Sequence, residues 1–139
     1  MTKTATLISS LFLALTLPSL AQGEAPKLKN GSFAADKKLA TAGNAQAQCD
    51  LAVRYMSGDG IKVDYAKGVF WLNKAVAQNL AESQYRLANC YLFGYGVEVN
   101  HAKAFKLFNK AAEQGDSFAQ YELAICYLRA EGTAKNLEK

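Results

Sequence analysis

Residues 91–105, "YLFGYGVEVNHAKAF", spell again what residues 55–70, "YMSGDGIKVDYAKGVF", have already spelled. Both run Tyr, two residues, Gly-x-Gly, an aliphatic residue, a charged residue, Val, a polar capping residue, and after one more position Ala-Lys. A shift of 36 residues aligns the chain with itself without a gap. Residues 44–79 match residues 80–115 at 14 of 36 positions, and residues 80–103 match residues 116–139 at 10 of 24. Leu51, Leu87 and Leu123 fall in one column, Ala52, Ala88 and Ala124 in the next, and Tyr55, Tyr91 and Tyr127 in a third. A fixed period of this length marks a repeat architecture.

Each unit reads as two helices. In the first, A, Ala47, Leu51, Ala52 and Tyr55 recur at helical spacing and make one apolar stripe. Gly58 or Gly94 ends helix A, because glycine enters the left-handed cap conformation without a Cβ clash. Gly60 or Gly96 completes the reversal, and Asp64 or Asn100 caps the next helix by accepting from its free N–H groups. That helix, B, carries Trp71, Leu72, Ala75 and Val76, or Leu107, Phe108, Ala111 and Ala112, and stops at Asn79 or Gly115. The paired glycines therefore make the hairpin that folds B back on A. A phosphate-binding loop also uses glycines, but it follows a strand and continues into Lys-Ser or Lys-Thr; here a helix precedes and no such lysine follows.

Written as Ala-x3-Leu-Ala-x2-Tyr-x2-Gly-x-Gly, then Asp/Asn-x2-Lys-Ala/Gly-x2-Trp/Leu-x2-Lys-Ala, the unit resembles the Sel-one-like repeat, a relative of the tetratricopeptide repeat. The resemblance covers residues 44–139 and implies an all-α fold, a short right-handed α-solenoid of helix hairpins. Repeat 1 spans 44–79, repeat 2 spans 80–115, and 116–139 is an incomplete repeat 3. Gly68 stands where a helical alanine is expected, at a cost of about 1 kcal/mol, and Ala130 replaces the first glycine of the third hairpin. Upstream, residues 31–43 fit the register as a worn B helix, with Ser32 as cap, Lys38 aligned with Lys74 and Lys110, and Gly43 as terminator.

Residues 1–21 read as an export signal. Lys3 precedes the apolar run "LISSLFLALTL", and small residues stand at Ser19 and Ala21, with cleavage expected after Ala21. The run falls short of the roughly 20 residues a membrane-spanning helix needs. A flexible lead of 22–30 follows, and the expected location is periplasmic or secreted. The mature chain would hold 118 residues with a formal charge of +3. Its basic residues are scattered in sequence, which argues against a nucleic-acid partner.

The sequence offers little chemistry. His101 is the one histidine, without companions at zinc-ligand spacing, and neither a Gly-x-Ser-x-Gly elbow nor a carboxylate pair in an apolar setting occurs. No catalytic residue, metal or cofactor is expected. Cysteine-rich relatives within the resembled family are associated with penicillin binding and slow β-lactam hydrolysis, but they carry two cysteines per unit, a pattern this chain lacks. Cys90 and Cys126 occupy equivalent positions of successive A helices. They read either as small half-buried residues or as a pair bridged where the helices pinch together. Cys49 aligns with Tyr85 and Tyr121 on the inner face.

In the resembled family's relatives, ligands touch A-helix positions away from the Leu-Ala-Tyr stripe. That carries over to Val53, Met56, Tyr85, Asn89, Phe93, Tyr121, Ile125 and Arg129, an expected surface for a protein or peptide partner. The third unit stops at Lys139, where its B helix would begin, so Leu123 and Tyr127 form an expected edge for a second copy, a homodimer, or a partner. The function implied is that of an exported, non-catalytic scaffold: an envelope adapter, a host-interaction factor or a toxin-immunity protein. The alternatives are a penicillin-directed enzyme and a structural oligomerisation module.

Overall fold

The computed structural model describes residues 31–130, and they form six α-helices with no strand among them. These are α1 (Phe33–Thr41), α2 (Ala45–Ser57), α3 (Tyr65–Ala77), α4 (Ala81–Phe93), α5 (His101–Glu113) and α6 (Ser117–Ala130). Helices α2, α4 and α6 are the A helices, and α1, α3 and α5 the B helices. Each packs on its neighbours in sequence, α1 on α2 through to α5 on α6, so the chain builds a solenoid one helix at a time. The expected signal segment, the lead and the third hairpin lie outside the described residues.

The local geometry follows the spelling. Gly58 and Gly94 end α2 and α4 at φ +75° and +76°, each donating its N–H back to the carbonyl four residues earlier. The hairpin is closed by the backbone. The Asp64 N–H donates to the Tyr55 carbonyl at 2.7 Å, and the Asn100 N–H donates to the Tyr91 carbonyl at 2.8 Å. Asp64 and Asn100 then accept from the N–H groups of Lys67 and Lys103. Those lysines turn back over the same tyrosines, with Nζ 5.7 Å from the Tyr55 ring and 5.3 Å from the Tyr91 ring. Tyr, Gly-x-Gly, cap and Lys recur together because they are one closed unit. Ser32 caps α1 through the Ala35 N–H, and Gly43, Asn79 and Gly115 take positive φ after the B helices.

The apolar stripes meet between helices. Cys49, Ala52, Val69, Leu72, Ala75, Leu87 and Cys90 form one buried cluster, and Ala88, Ala104, Phe108, Ala111, Ala119 and Leu123 form the next. Each therefore takes side chains from one hairpin and from the following A helix, so a hairpin alone would leave its apolar face in water. A glutamine ladder joins the same helices: Gln78 donates to Gln48 at 2.9 Å, and Gln114 donates to Gln84 at 2.8 Å. Gln48 in turn donates to the Ala40 carbonyl, and Gln120 donates to the Ala112 carbonyl.

The worn half unit is fastened by a charge. Arg54 is buried, donates to Asp36 of α1 at 2.7 Å and to Asp59 of the first hairpin at 3.0 Å, and also meets the Gly31 carbonyl. A buried guanidinium is tolerable only when so paired. Its equivalents in the later units are Cys90 and Cys126.

Two glycines are positioned by close approach. A Cβ on Gly68 would stand 2.7 Å from Met56 Cγ and 3.2 Å from the Ala52 carbonyl, so glycine here lets α3 lie tightly on α2. The helix-propensity cost at Gly68 is therefore offset by packing. A Cβ on Gly96 would stand 2.6 Å from the backbone carbonyl of Tyr65, whereas one on the equivalent Gly60 would meet nothing within 4 Å. Both have positive φ, +70° and +74°. Gly60→Ala should therefore carry only conformational strain, roughly 1 kcal/mol. Gly96→Ala adds a backbone clash and should cost about 2 kcal/mol or more. Thermal melts of the two variants would show it, and equal shifts in Tm would contradict the contact.

Candidate functional site

The candidate surface is the side of α2, α4 and α6 turned away from the B helices. Residues 46, 50 and 53 lie on one side of α2, and a 36-residue shift carries them to 82, 86 and 89 on α4 and to 118, 122 and 125 on α6. Adjacent units touch directly here. Gln46 donates to Glu82 at 3.1 Å and to Asp50 at 3.0 Å, and Arg86 donates twice to Glu82 at 2.7 and 3.0 Å. Burial opposes ionisation of Glu82, but the Arg86 guanidinium holds its carboxyl below the usual range. The pair is partly solvent-exposed, which keeps its contribution to stability small. Its effect is to hold the Arg86 fork in one geometry.

Tyr85 and Asn89 are brought together as expected from the spacing. Both are half-buried. Burial raises the Tyr85 phenol above its ordinary pKa. Its ring lies 6.0 Å from Phe108 and 5.7 Å from Phe118, whose own ring is 65% exposed. Tyr121 occupies the equivalent place one unit on and is half-buried. Arg129 is exposed at the end of α6. Two turns earlier, Glu122 is 3% exposed, and burial pushes its carboxyl up to about 7 against the opposing charge of Arg129.

Four expected contact residues are placed differently. Val53 and Ile125 are buried, at 6% and 4% exposure, and offer little surface. Met56 is wedged against Gly68 between α2 and α3, because the missing side chain there leaves the room it fills. Phe93 is exposed but belongs to the hairpin edge, where it lies 5.8 Å from Tyr95, itself stacked on Tyr65 at 5.3 Å. The surface is more polar than the sequence suggested, since Val53 and Ile125 are buried and Gln46, Asp50, Glu82 and Arg86, none of them expected there, join it. The (i, i+4) Glu82–Arg86 pair and its 36-residue relation to Gln46 were the available signal.

The edge also shifts. Leu123 is buried against Phe108 of the preceding B helix, so it does not form an open edge. Ala124, Tyr127 and Leu128 are exposed instead, Tyr127 at 56% with its ring edge-on to Phe105. Their equivalents Ala88, Tyr91 and Leu92 are covered or half-covered by the following unit.

The three cysteines are free thiols, and Cys49 is fully buried, unlike the tyrosines it aligns with. Burial, with the Glu82 carboxylate adding to it, pushes the Cys49 thiol up to about 12, and burial alone does the same to Cys90. Neither is a nucleophile at neutral pH. No group of three His, Cys, Asp or Glu side chains among the described residues is placed to hold a metal ion. In the native protein a maleimide should modify Cys126, which is half-buried, and spare Cys49 and Cys90 until denaturant is added. Rapid modification of all three without denaturant would contradict the packing.

The same units are matched by a family model. The Sel1 repeat matches residues 45–80, 81–116 and 117–139. Among solved structures, a protective antigen of uropathogenic Escherichia coli with an SLR fold aligns at 35% identity and a TM-score of 0.67, over 72% of this chain and 21% of that one. A Sel1 repeat protein from Oxalobacter formigenes aligns at 30% identity and 0.64, over 66% of this chain and 27% of that one. The chain thus spans only about a fifth to just over a quarter of the length of these two proteins. Cysteine rich protein B of Helicobacter pylori aligns at 24% identity and 0.60, over 84% of this chain and 90% of that one, and shares the fold. Among curated proteins none matches. Proteins built on this repeat are commonly scaffolds for protein–protein contact. With three matched units, a closed Tyr–Gly-x-Gly–cap–Lys hairpin in two of them and buried clusters between neighbours, this chain belongs to the Sel1 repeat family.

Proposed function

We propose that this protein is an exported scaffold without catalysis of its own, which holds a protein or peptide partner on the A-helix face. The observation that carries the reading is the row Gln46, Glu82, Arg86, Tyr85, Asn89 and Phe118. It combines an aromatic anchor, a fixed guanidinium and an amide on three consecutive repeats. Aromatic residues and arginine are what tightly bound protein contacts favour. An extended peptide lying across α2, α4 and α6 would meet donors and acceptors already oriented by their own hydrogen bonds, which lowers the entropy cost of binding. The roles that fit are an envelope adapter, a host-interaction factor or a toxin-immunity protein. Export is supported by the signal-like residues 1–21.

A second reading rests on α6. The exposed Ala124, Tyr127 and Leu128 present the surface that a following unit covers elsewhere in the molecule, and a second copy could cover it.

Crosslinking capture from the native cell envelope tests both. The wild-type chain should retain a discrete protein, and Tyr85→Ala combined with Tyr121→Ala should weaken its capture at least tenfold while leaving helix content unchanged. Unchanged capture would remove the A-helix face as the site. Recovery of the chain crosslinked only to itself would replace partner binding by self-association.

A further inference from the structure

Charge is divided between the two sides of this molecule by residue type. All eight lysines among residues 31–130 lie on B helices or in the first hairpin, and all three arginines lie on A helices. Arg54 and Arg86 are engaged with carboxylates, and Arg129 faces the charge of Glu122. On α5, Lys103, Lys106 and Lys110 stand at spacings of three and four, which puts them on one face of the helix. On α3 the same register positions are Lys67, Phe70 and Lys74. All six are exposed, Phe70 at 54%. Lys38 of α1, also exposed, continues the row formed by Lys74 and Lys110. Acidic residues on these helices are few: Asp36 is taken by Arg54, Glu113 ends the α5 stripe, and Asp64 caps α3 with Lys67 Nζ at 3.6 Å.

We propose that this lysine-striped B-helix face docks on an anionic phospholipid bilayer surface. Lysine is a compact charge on a flexible stem and suits diffuse attraction to a charged plane. Fixed recognition of a carboxylate or phosphate favours the planar arginine fork, and this face has no arginine. Phe70 separates a lipid surface from a dissolved polyanion. An exposed ring between Lys67 and Lys74, with Lys74 Nζ 5.1 Å above it, adds nothing for a soluble polyanion, but it enters the interfacial zone of a bilayer, where aromatic rings settle. No helix among the described residues is long and apolar enough to cross a membrane, so the contact is peripheral. It leaves the A-helix side turned outward, and it does not depend on what that side binds.

The full chain is mixed with vesicles of phosphatidylcholine alone or with phosphatidylglycerol added, and bound protein is sedimented. Phosphatidylglycerol should increase binding, and raised salt should remove the increase. The combination Lys74→Glu, Lys106→Glu and Lys110→Glu should lower that increase at least tenfold, since each lysine near an anionic surface is worth roughly fivefold. Phe70→Ser should weaken it severalfold and leave the salt dependence intact. Lys67 and Lys103 are left in place because they pack on Tyr55 and Tyr91. Circular dichroism establishes that each variant keeps its helix content, and Lys→Gln at the three sites replaces Lys→Glu should the charge reversal unfold the chain. Binding through residues 1–30, which carry Lys3, Lys27 and Lys29, would be the same in every variant, so it cancels in the comparison between variants. Equal binding to both vesicle types, or undiminished binding by the folded triple variant, overturns the proposal. Polyphosphate in solution competing fully, together with indifference to Phe70→Ser, assigns the face to a soluble polyanion and overturns it equally.

Discussion

Neither of the two described hairpins covers its own apolar side chains. Leu72 and Ala75 of α3 are sealed only when Leu87 and Cys90 of α4 arrive, and Ala104, Phe108 and Ala111 of α5 wait in turn for Ala119 and Leu123 of α6. Every other feature serves this dependence. The backbone bonds from Asp64 to Tyr55 and from Asn100 to Tyr91 fix the angle at which B returns on A. The Gln78–Gln48 and Gln114–Gln84 bonds hold B on A within a hairpin, while Gln48 to Ala40 and Gln120 to Ala112 tie an A helix to the B helix before it; an amide buried without its partner would cost about 1–3 kcal/mol. The result is a stack in which the relative position of α2, α4 and α6 is set by packing, so side chains 36 residues apart form one continuous face.

That arrangement explains why the fold could be read so far from the sequence. The columns Leu51/Leu87/Leu123 and Ala52/Ala88/Ala124, the cap at Asp64 or Asn100 and the stops at Asn79 or Gly115 are local signals repeated at constant spacing, and each predicts the same element twice. The worn half unit was legible through Ser32, Lys38 and Gly43. Its fastening was not. Arg54 reaches Asp36 across 18 residues and stands where later units have cysteine, so the periodic comparison hides it. Gly68 was misjudged for a related reason: its merit is the closeness of Met56 and Ala52 on another helix, which no propensity scale contains.

The candidate surface was less legible. A helical wheel places Val53, Asn89 and Ile125 on the same side, yet only Asn89 remains half-exposed. Periodicity says which way a residue points and cannot say how much of it stays in water. Gln46, Asp50, Glu82 and Arg86 belong to no apolar stripe, and taken singly each reads as an ordinary solvated helix residue. The Gln46–Glu82–Arg86 chain is visible only when two repeats are placed side by side. At the far edge, Leu123 looks back into the core while Ala124 and Tyr127 look forward, a difference of one residue on a helix that separates covered from uncovered. The lysines show the converse. Scattered in sequence, they gather on one side once the B helices are placed.

The stack predicts a gradient of stability along the chain, because helices packed on both sides need more contacts broken to open than those at either end. Native-state hydrogen exchange measured helix by helix reads this directly. The account predicts the slowest exchange in α3 and α4, faster exchange in α1 and α6, and α3 and α4 opening together as one unit. Equal protection in all six helices, or independent opening of α2–α3 and α4–α5 as separate hairpins, would contradict the claim that neighbouring repeats depend on each other for their cores.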